Sequence, residues 1–470
     1  MRPQHTVHQR ASGGDDGGGK LRRTLGLPLL LFYGIGVIVG AGIYSVLGAV
    51  AGVAGRAAWA SLAAASVPAI LTALCYAELC TRFPRAGGGF AYVREAVPRW
   101  PSLSFIVGIL TLATAAGTAA TVAAAFGGYL ALFAGDWWPA WASAAGLLAL
   151  CTLINIAGIR ESTWATVTCT IVEVGGLVVI ILVGVRSENF GAGVMDMQAG
   201  VVLAGAALAF FVFTGFEGLV NLAEEARKPK RDLPIALMVS VGVTLVLYVL
   251  TALAAVALAD PEELAASDSP LATAAGAVHP RLATAMAWVA LLSTANTALI
   301  TLVVGSRLVY GMAEEGSLPR VLGATLSARK SPWVAALVLG GAAAALLPLG
   351  GVALLGSVSS LTTLAVFFAV CASLILIRRR ESGNRRADAP GSAAFRIPGA
   401  IAGVPIIAVL ALVSIVALAT RFAPLVYAIG AGTLLLAAGG YAIRSRIGGS
   451  TDLKVNGAAA VPSANKEEKT

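Results

Sequence analysis

Apolar residues in this chain come in long runs, and the polar positions collect between the runs and seldom inside them. A helix of about 20 apolar residues crosses the hydrocarbon core of a bilayer. Twelve such runs are predicted, at roughly 26–50, 57–81, 103–134, 139–158, 163–185, 200–224, 233–259, 283–312, 333–350, 352–377, 401–420 and 422–443. The pattern predicts an all-α membrane protein of about 12 transmembrane helices. Length alone would suggest about three soluble domains. Composition excludes that, because 58% of the residues are hydrophobic and only 12% are charged, about half the charged share of a soluble domain.

The expected organisation is a disordered tail over 1–23, a transmembrane domain over 24–445 and a second disordered tail over 446–470. Residues 1–20 are polar and glycine-rich, with no apolar segment of the signal-peptide kind. The first run is therefore expected to stay in the mature protein.

The formal charge of +9 would suit a nucleic-acid partner if it formed one basic face. It does not. With the N-terminus in the cytoplasm, all of the 33 Lys and Arg except Arg56, Arg186, Arg281 and Arg421 fall on the cytoplasmic side. Clusters at Lys20, Arg22 and Arg23, at Arg227, Lys228, Lys230 and Arg231, and at Arg378 to Arg380 sit at every second boundary. This positive-inside asymmetry sets orientation. The expectation is a multi-pass protein of the cell membrane with both termini cytoplasmic, the lipid bilayer as its partner and no nucleic acid.

Cofactor and metal chemistry find no foothold. Cys75, Cys80, Cys151, Cys169 and Cys371 lie in or at the ends of predicted helices without CxxC spacing, so neither disulfides nor zinc are expected. The histidines, His5, His8 and His279, all fall outside the runs, which removes bis-histidine haem. No run carries a Ser–His pair or a metal-ligand cluster, so an enzyme is not expected, and without a GxxxxGK[ST] loop neither is a primary pump.

Helix-breaking residues deep inside a run are informative, because irregular backbone in a membrane is tolerated only where it lines a cavity or is buried in protein. Run one contains Gly34, Gly36, Gly40 and Gly42 within nine residues, each costing about 1 kcal/mol of helix stability relative to alanine. A nucleotide loop of the GxGxxG type is excluded by Val39. Two readings stand: close helix packing through Gly36-xxx-Gly40, or an unwound hinge around Gly40-Ala41-Gly42 with a half-helix starting at about Ile43. Run six has a matching interruption, Phe210-Phe211-Val212-Phe213-Thr214-Gly215-Phe216-Glu217. Glu217 is either a functional carboxylate or a structural hydrogen-bonding node.

The two interruptions occupy corresponding places in two five-helix units, roughly 26–185 and 200–377, followed by helices eleven and twelve over about 401–443. That spacing predicts a 5+5 inverted repeat with discontinuous helices one and six and a midplane site between them. A half-helix N-terminus offers unpaired N–H groups and a positive dipole end to a carboxylate. Unwound carbonyls offer acceptors to an ammonium. A site with both suits an α-amino acid zwitterion.

At these residues the sequence resembles the amino acid–polyamine–organocation superfamily of permeases, over about 24–445. The resemblance rests on Gly40-Ala41-Gly42-Ile43-Tyr44, on Phe83 to Tyr92, on Phe213-Thr214-Gly215-Phe216-Glu217, on Glu224 to Pro234 and on Ser306 to Pro319. The Glu224 to Pro234 segment is most similar to the cationic-amino-acid-transporter-like branch. The resemblance implies a carboxylate held by the N–H groups of Ala41, Gly42 and Ile43. It implies an amine near the carbonyls of Ile38, Phe211 and Thr214, with Gly40 and Gly215 completing the breaks. Phe211 matches the aromatic that closes over substrate in such permeases, or else packs as a core aromatic. Many relatives carry serine where Ala41 stands, which removes any side-chain contact there and leaves backbone capture.

Run five begins Gly158-Ile159-Arg160-Glu161-Ser162, as in the family, and carries Glu173 at mid-membrane depth. Proton-coupled relatives often have a lysine near this position. Glu173 can take up and release a proton, hold a cationic side chain or Na⁺, or serve as a structural acid. Asn296, with Ser293, Thr294 and Thr297 in run eight, can complete such a site, although membrane hydroxyls commonly bond their own backbone. The small residues Ala113, Thr114, Ala116, Gly117 and Ala120 of run three leave room beside the site or pack tightly against a neighbouring helix.

The expected function is a secondary active transporter importing amino acids by alternating access and proton symport, with protons favoured over Na⁺. A polyamine or ethanolamine-type organocation permease and an amino acid exchanger are the alternatives. A channel or membrane sensor is the rival class, disfavoured by two matched breaks in place of a continuous pore.

Overall fold

A computed structural model describes residues 25–84, 88–135, 137–158, 163–191, 198–326, 331–383, 395–401 and 403–448. Lys20, Arg22, Arg23, Arg85, Ala86, Gly87, Arg160, Glu161, Ser162 and both tails up to 24 and from 449 lie outside the described residues.

The described residues are almost wholly helical. The helices are α1 (Leu27–Val39), α2 (Gly42–Ala54), α3 (Ala58–Arg82), α4 (Gly88–Ala96), α5 (Pro101–Ala134), α6 (Ala140–Ile156), α7 (Thr163–Gly184) and α8 (Ala199–Ala209). After two 3₁₀ segments come α9 (Pro229–Leu258), α10 (Pro261–Ala266), α11 (Pro270–Gly276), α12 (Pro280–Glu314), α13 (Trp333–Leu346), α14 (Val352–Gly383), α15 (Ile406–Ala419) and α16 (Pro424–Gly448). Among the described residues, eight stretches are long and apolar enough to cross a membrane, and Ala140–Ile156, Trp333–Leu349 and Ile406–Ala419 are shorter apolar helices. Together they cover all the predicted runs, since Leu27–Arg82 carries two.

Proline places many of the helix starts. It occupies the first turn of α1, α5, α9, α10, α11 and α12, where its fixed φ suits the helix and its missing N–H costs nothing. The His279 ring accepts the Arg281 N–H at 3.1 Å and caps α12.

α5 runs between α12 and α14, and α3 packs along α9. α1 lies against α9 and α7, whereas α2 lies against α8 and α10. Small residues set the closest crossings. A Cβ on Gly36 would overlap Thr170 of α7, and one on Gly34 would overlap Ser240 of α9. The packing reading of the run-one glycines thus holds for Gly34 and Gly36. In run three, a Cβ on Gly117 would strike Ser359, and the Thr114 hydroxyl bonds Thr362 at 2.9 Å. These small residues pack α5 onto α14.

One end of the bundle is tied by buried charge. Glu78, fully buried near the end of α3, accepts from Arg82 Nε at 3.0 Å and Nη2 at 2.5 Å. It also accepts from Arg378 of α14 at 2.7 Å, with a second contact to Arg378 Nη2, and from the Ile397 N–H at 2.9 Å. Arg82 reaches on to Glu381, which Arg396 meets at 3.1 Å. The pairs Arg56–Asp260 and Arg94–Glu315 are exposed and contribute little to stability. At the same end, Leu25 and Ala226 form a parallel bridge, with Leu25 N–H on Glu225 O at 3.1 Å and Arg227 N–H on Leu25 O at 2.9 Å. It joins the start of α1 to the chain leaving the second 3₁₀ segment.

Candidate functional site

Both predicted interruptions are real breaks. The first run stops at Val39, turns through Gly40 and Ala41, and resumes as α2 at Gly42, one residue before the expected start at Ile43. The other gives up α-geometry at Phe210, forms a 3₁₀ turn over Phe210–Phe213, breaks at Thr214 and Gly215, and continues as 3₁₀ helix over Phe216–Glu224. Nine residues of 3₁₀ is a long run for that geometry, and such stretches mark hinges. Gly215 has φ 111°, in the left-handed region that favours glycine.

The breaks lie side by side. A Cβ on Gly42 would sit 2.9 Å from Val212 Cα, and one on Gly215 would sit 2.8 Å from Val37 O. Glycine at both points lets the two backbones approach this closely. Gly42→Ala is expected to impose about 1–3 kcal/mol of overpacking on this crossing, read as a lowered unfolding midpoint in detergent. A variant as stable as wild type would mean that the two backbones can part to admit the methyl group.

Several polar groups at the breaks can be followed to their partners. The Ala41 N–H donates to Thr297 Oγ1 of α12 at 3.0 Å. Gly42 and Ile43 open α2, so their N–H groups have no intrahelical acceptor. The Thr214 N–H and hydroxyl both donate to Phe211 O, at 3.2 and 2.7 Å. The Gly215 N–H goes to Glu217 Oε2 at 2.9 Å. Glu217 is thus a backbone node of the run-six break. Tyr248 of α9, fully buried, places its hydroxyl 2.6 Å from Ile38 O, 3.1 Å from Val39 O and 3.2 Å from Val212 O.

Ile38, Ala41, Ile43 and Phe211 are at most 2% exposed. Exposed surface at the run-six break falls on Thr214, Gly215 and Glu217 and not on Phe210 to Phe213. Phe211 lies where Val46 of α2, Thr121 of α5 and Gly356 of α14 converge.

Glu173 lies on α7. It is fully buried, with Ser293 and Asn296 of α12 beside its carboxyl group but outside hydrogen-bonding geometry. Both carboxyl oxygens and the buried Ser293 hydroxyl are without a hydrogen-bond partner among the described residues. Thr294 bonds its own helix, at Ala290 O and Leu291 O. Tyr44 connects the two regions: its hydroxyl donates to Glu173 O at 2.6 Å, and its own carbonyl accepts from Tyr129 at 2.9 Å. Along α12, Ser293 and Asn296 face Glu173 while Thr297 holds Ala41. One helix touches both the carboxyl and the first break.

Sequence reading named Tyr44 only as part of the run-one motif and missed Tyr129 and Tyr248. An aromatic in an apolar helix gives no sign of where its hydroxyl ends. Glu78 and Arg82 carried a signal, the four-residue spacing of an ion pair on one helix face.

The sequence profile of the amino acid permease family matches residues 25–439. This chain belongs to the amino acid permease family. The permease is 34% identical over 343 residues to an uncharacterized transporter of Mycobacterium tuberculosis, covering 70% of this chain and 74% of that one. It is 31% identical to the chloroplastic cationic amino acid transporter 9 of Arabidopsis thaliana, covering 68% of this chain and 59% of the relative. It is 30% identical to human cationic amino acid transporter 4, covering 79% and 62%. The resemblance to permeases over nearly the whole length stands, and the permease is a multi-pass membrane transporter, not an enzyme.

Proposed function

We propose that the permease is a secondary active importer of α-amino acids in the cell membrane, working by alternating access with both termini in the cytoplasm. The observation that carries this reading is the pair of adjacent breaks. The free N–H groups of Gly42 and Ile43 face a carboxylate's needs, and the carbonyls of Ile38, Val39 and Val212 gather within 3.2 Å of one hydroxyl. The helices fit a layout of twelve crossings as a 5+5 inverted repeat plus two, the first repeat ending with α7 and the second with α14. That two of the relatives are named cationic amino acid transporters supports cationic amino acids as the substrates of this permease.

Proton symport is the coupling we propose, with Glu173 as the carrier. A carboxyl group buried without a hydrogen-bond partner among the described residues, beside Ser293 and Asn296, has to exchange a proton or a cation to change its charge. The same unpartnered carboxyl supports a second reading, in which it holds a cationic substrate group. An organocation such as a polyamine would use that contact without the carboxylate site.

The test is uptake into proteoliposomes under an imposed inward proton gradient, with arginine, lysine, alanine, putrescine and ethanolamine. Saturable accumulation of an amino acid, with counterflow, is the expected result. Uptake of amines alone would replace the amino acid reading by the organocation one. Non-saturating flux without counterflow would replace transport by a channel.

A further inference from the structure

A cavity of about 280 Å³ opens away from the helix breaks, at the end of the bundle where α3, α12 and α14 finish. Its walls come from α4 and the turn into α5, from the end of α12 and from the end of α16. Phe90, which lines it, belongs to a small buried apolar cluster with Phe105 and Met312, and Tyr441 packs onto that cluster. The rings of Tyr441 and Phe105 lie 5.7 Å apart and hold α16 against α5. Arg444 follows Tyr441 three residues on, so it shares that face of the helix and lines the cavity.

Three charged side chains line the space, Arg94, Glu315 and Arg444. Arg94 Nη1 meets Glu315 Oε2 at 2.5 Å. Arg444 is half-buried and forms no ion pair among the described residues. Two guanidinium groups against one carboxylate leave the lining with one net positive charge. A single negative charge completes it. Guanidinium groups recognise phosphate oxygens through paired N–H donors, so a phosphodiester fits this lining.

The surroundings place the cavity beside lipid. Trp100, just before α5, is 68% exposed, as suits an aromatic at the level of the headgroups. α16 is exposed over most of its length, and Leu436 and Ile443 extend an apolar face away from the mouth of the cavity. A phosphate seated at Arg444 therefore has room for acyl chains along α16. Basic pockets between helices at a membrane surface are suited to anionic headgroups.

We propose that this cavity binds the phosphate of an anionic phospholipid, held by Arg444 and Arg94, with the acyl chains lying along α16. The site is separate from the helix breaks and stands under any reading of the transported substrate.

The experiment titrates the purified full-length permease in a neutral detergent and counts bound lipid by native mass spectrometry. The probes are short-chain phosphatidylglycerol, phosphatidylcholine with the same chains, and inorganic phosphate as competitor. Wild type is expected to bind phosphatidylglycerol about fivefold more tightly than phosphatidylcholine, the value of one basic side chain beside an anionic headgroup. Arg444→Gln is expected to remove that preference. Arg320→Gln, exposed at the same end but outside the cavity, is expected to keep it. Glu315→Gln raises the net charge of the lining and is expected to tighten binding by about fivefold. A wild type without the preference overturns the proposal. Equal losses in Arg444→Gln and Arg320→Gln overturn it as well, since they mean diffuse attraction to the surface. Displacement of the lipid by inorganic phosphate would assign the cavity to free phosphate and overturn the lipid reading. Should Arg444→Gln not yield folded protein, Glu315→Gln decides, because unchanged or weakened binding in that variant overturns the proposal.

Discussion

Replacing Glu78 with alanine is expected to cost about 3–5 kcal/mol of stability, the consequence of leaving buried charges uncompensated. Glu78 is fully buried between Arg82 and Arg378, which are themselves at most 6% exposed. Removing the carboxylate leaves Arg378 with the Ile397 carbonyl, at 3.0 Å, and Arg82 with the partly exposed Glu381, so the two buried positive charges keep at most one carboxylate between them. The Ile397 N–H, which donates to Glu78 at 2.9 Å, loses its acceptor as well. The loss should spread beyond α3, because the cluster also fastens α14 and the segment leading into α15. Denaturant or thermal unfolding in detergent measures it. A change below about 1 kcal/mol, the size expected of an exposed pair, would mean the cluster is solvated in the folded protein. Replacing Glu78, Arg82 and Arg378 together by apolar residues of similar size is expected to cost much less than Glu78→Ala. Buried ion pairs exchanged whole are often neutral in stability.

Glu173→Gln is expected to abolish gradient-driven accumulation while exchange continues. Glutamine has the shape and neutrality of the protonated acid and cannot release a proton. An inward gradient of one pH unit drives about tenfold accumulation per proton carried, so the variant should fall from about tenfold to no accumulation. Counterflow of labelled substrate should persist, because substrate exchange needs no proton to cross. Normal accumulation by the variant would make Glu173 a structural acid. Loss of both activities would place it in substrate binding or in the integrity of α7 and α12.

The positions of the helices were legible because lipid imposes a simple rule. Every backbone amide must be satisfied within its own segment, so crossing segments appear as apolar runs. The breaks were legible for the converse reason. Gly40-Ala41-Gly42 and Thr214-Gly215 are poor helix formers at a depth where a broken helix must earn its place. The expected helix after the second break was a 3₁₀ segment instead, and no local residue announces that change.

What the sequence by itself determined is the kind of protein, the places where its helices fail and the intramembrane carboxylates Glu173 and Glu217. What only the tertiary structure decided is which groups those features meet. α9 and α12 are apolar around most of their circumference, so hydropathy carries no information about their rotation. Tyr248 therefore reached the carbonyls of both breaks, and Thr297 the Ala41 N–H 256 residues away, without a sign in the chain. Arg378 meets Glu78 across 300 residues for the same reason. Periodicity records what a segment needs from lipid, whereas the partner of a polar group is set by helix rotation and close approach, which belong to the packed bundle alone.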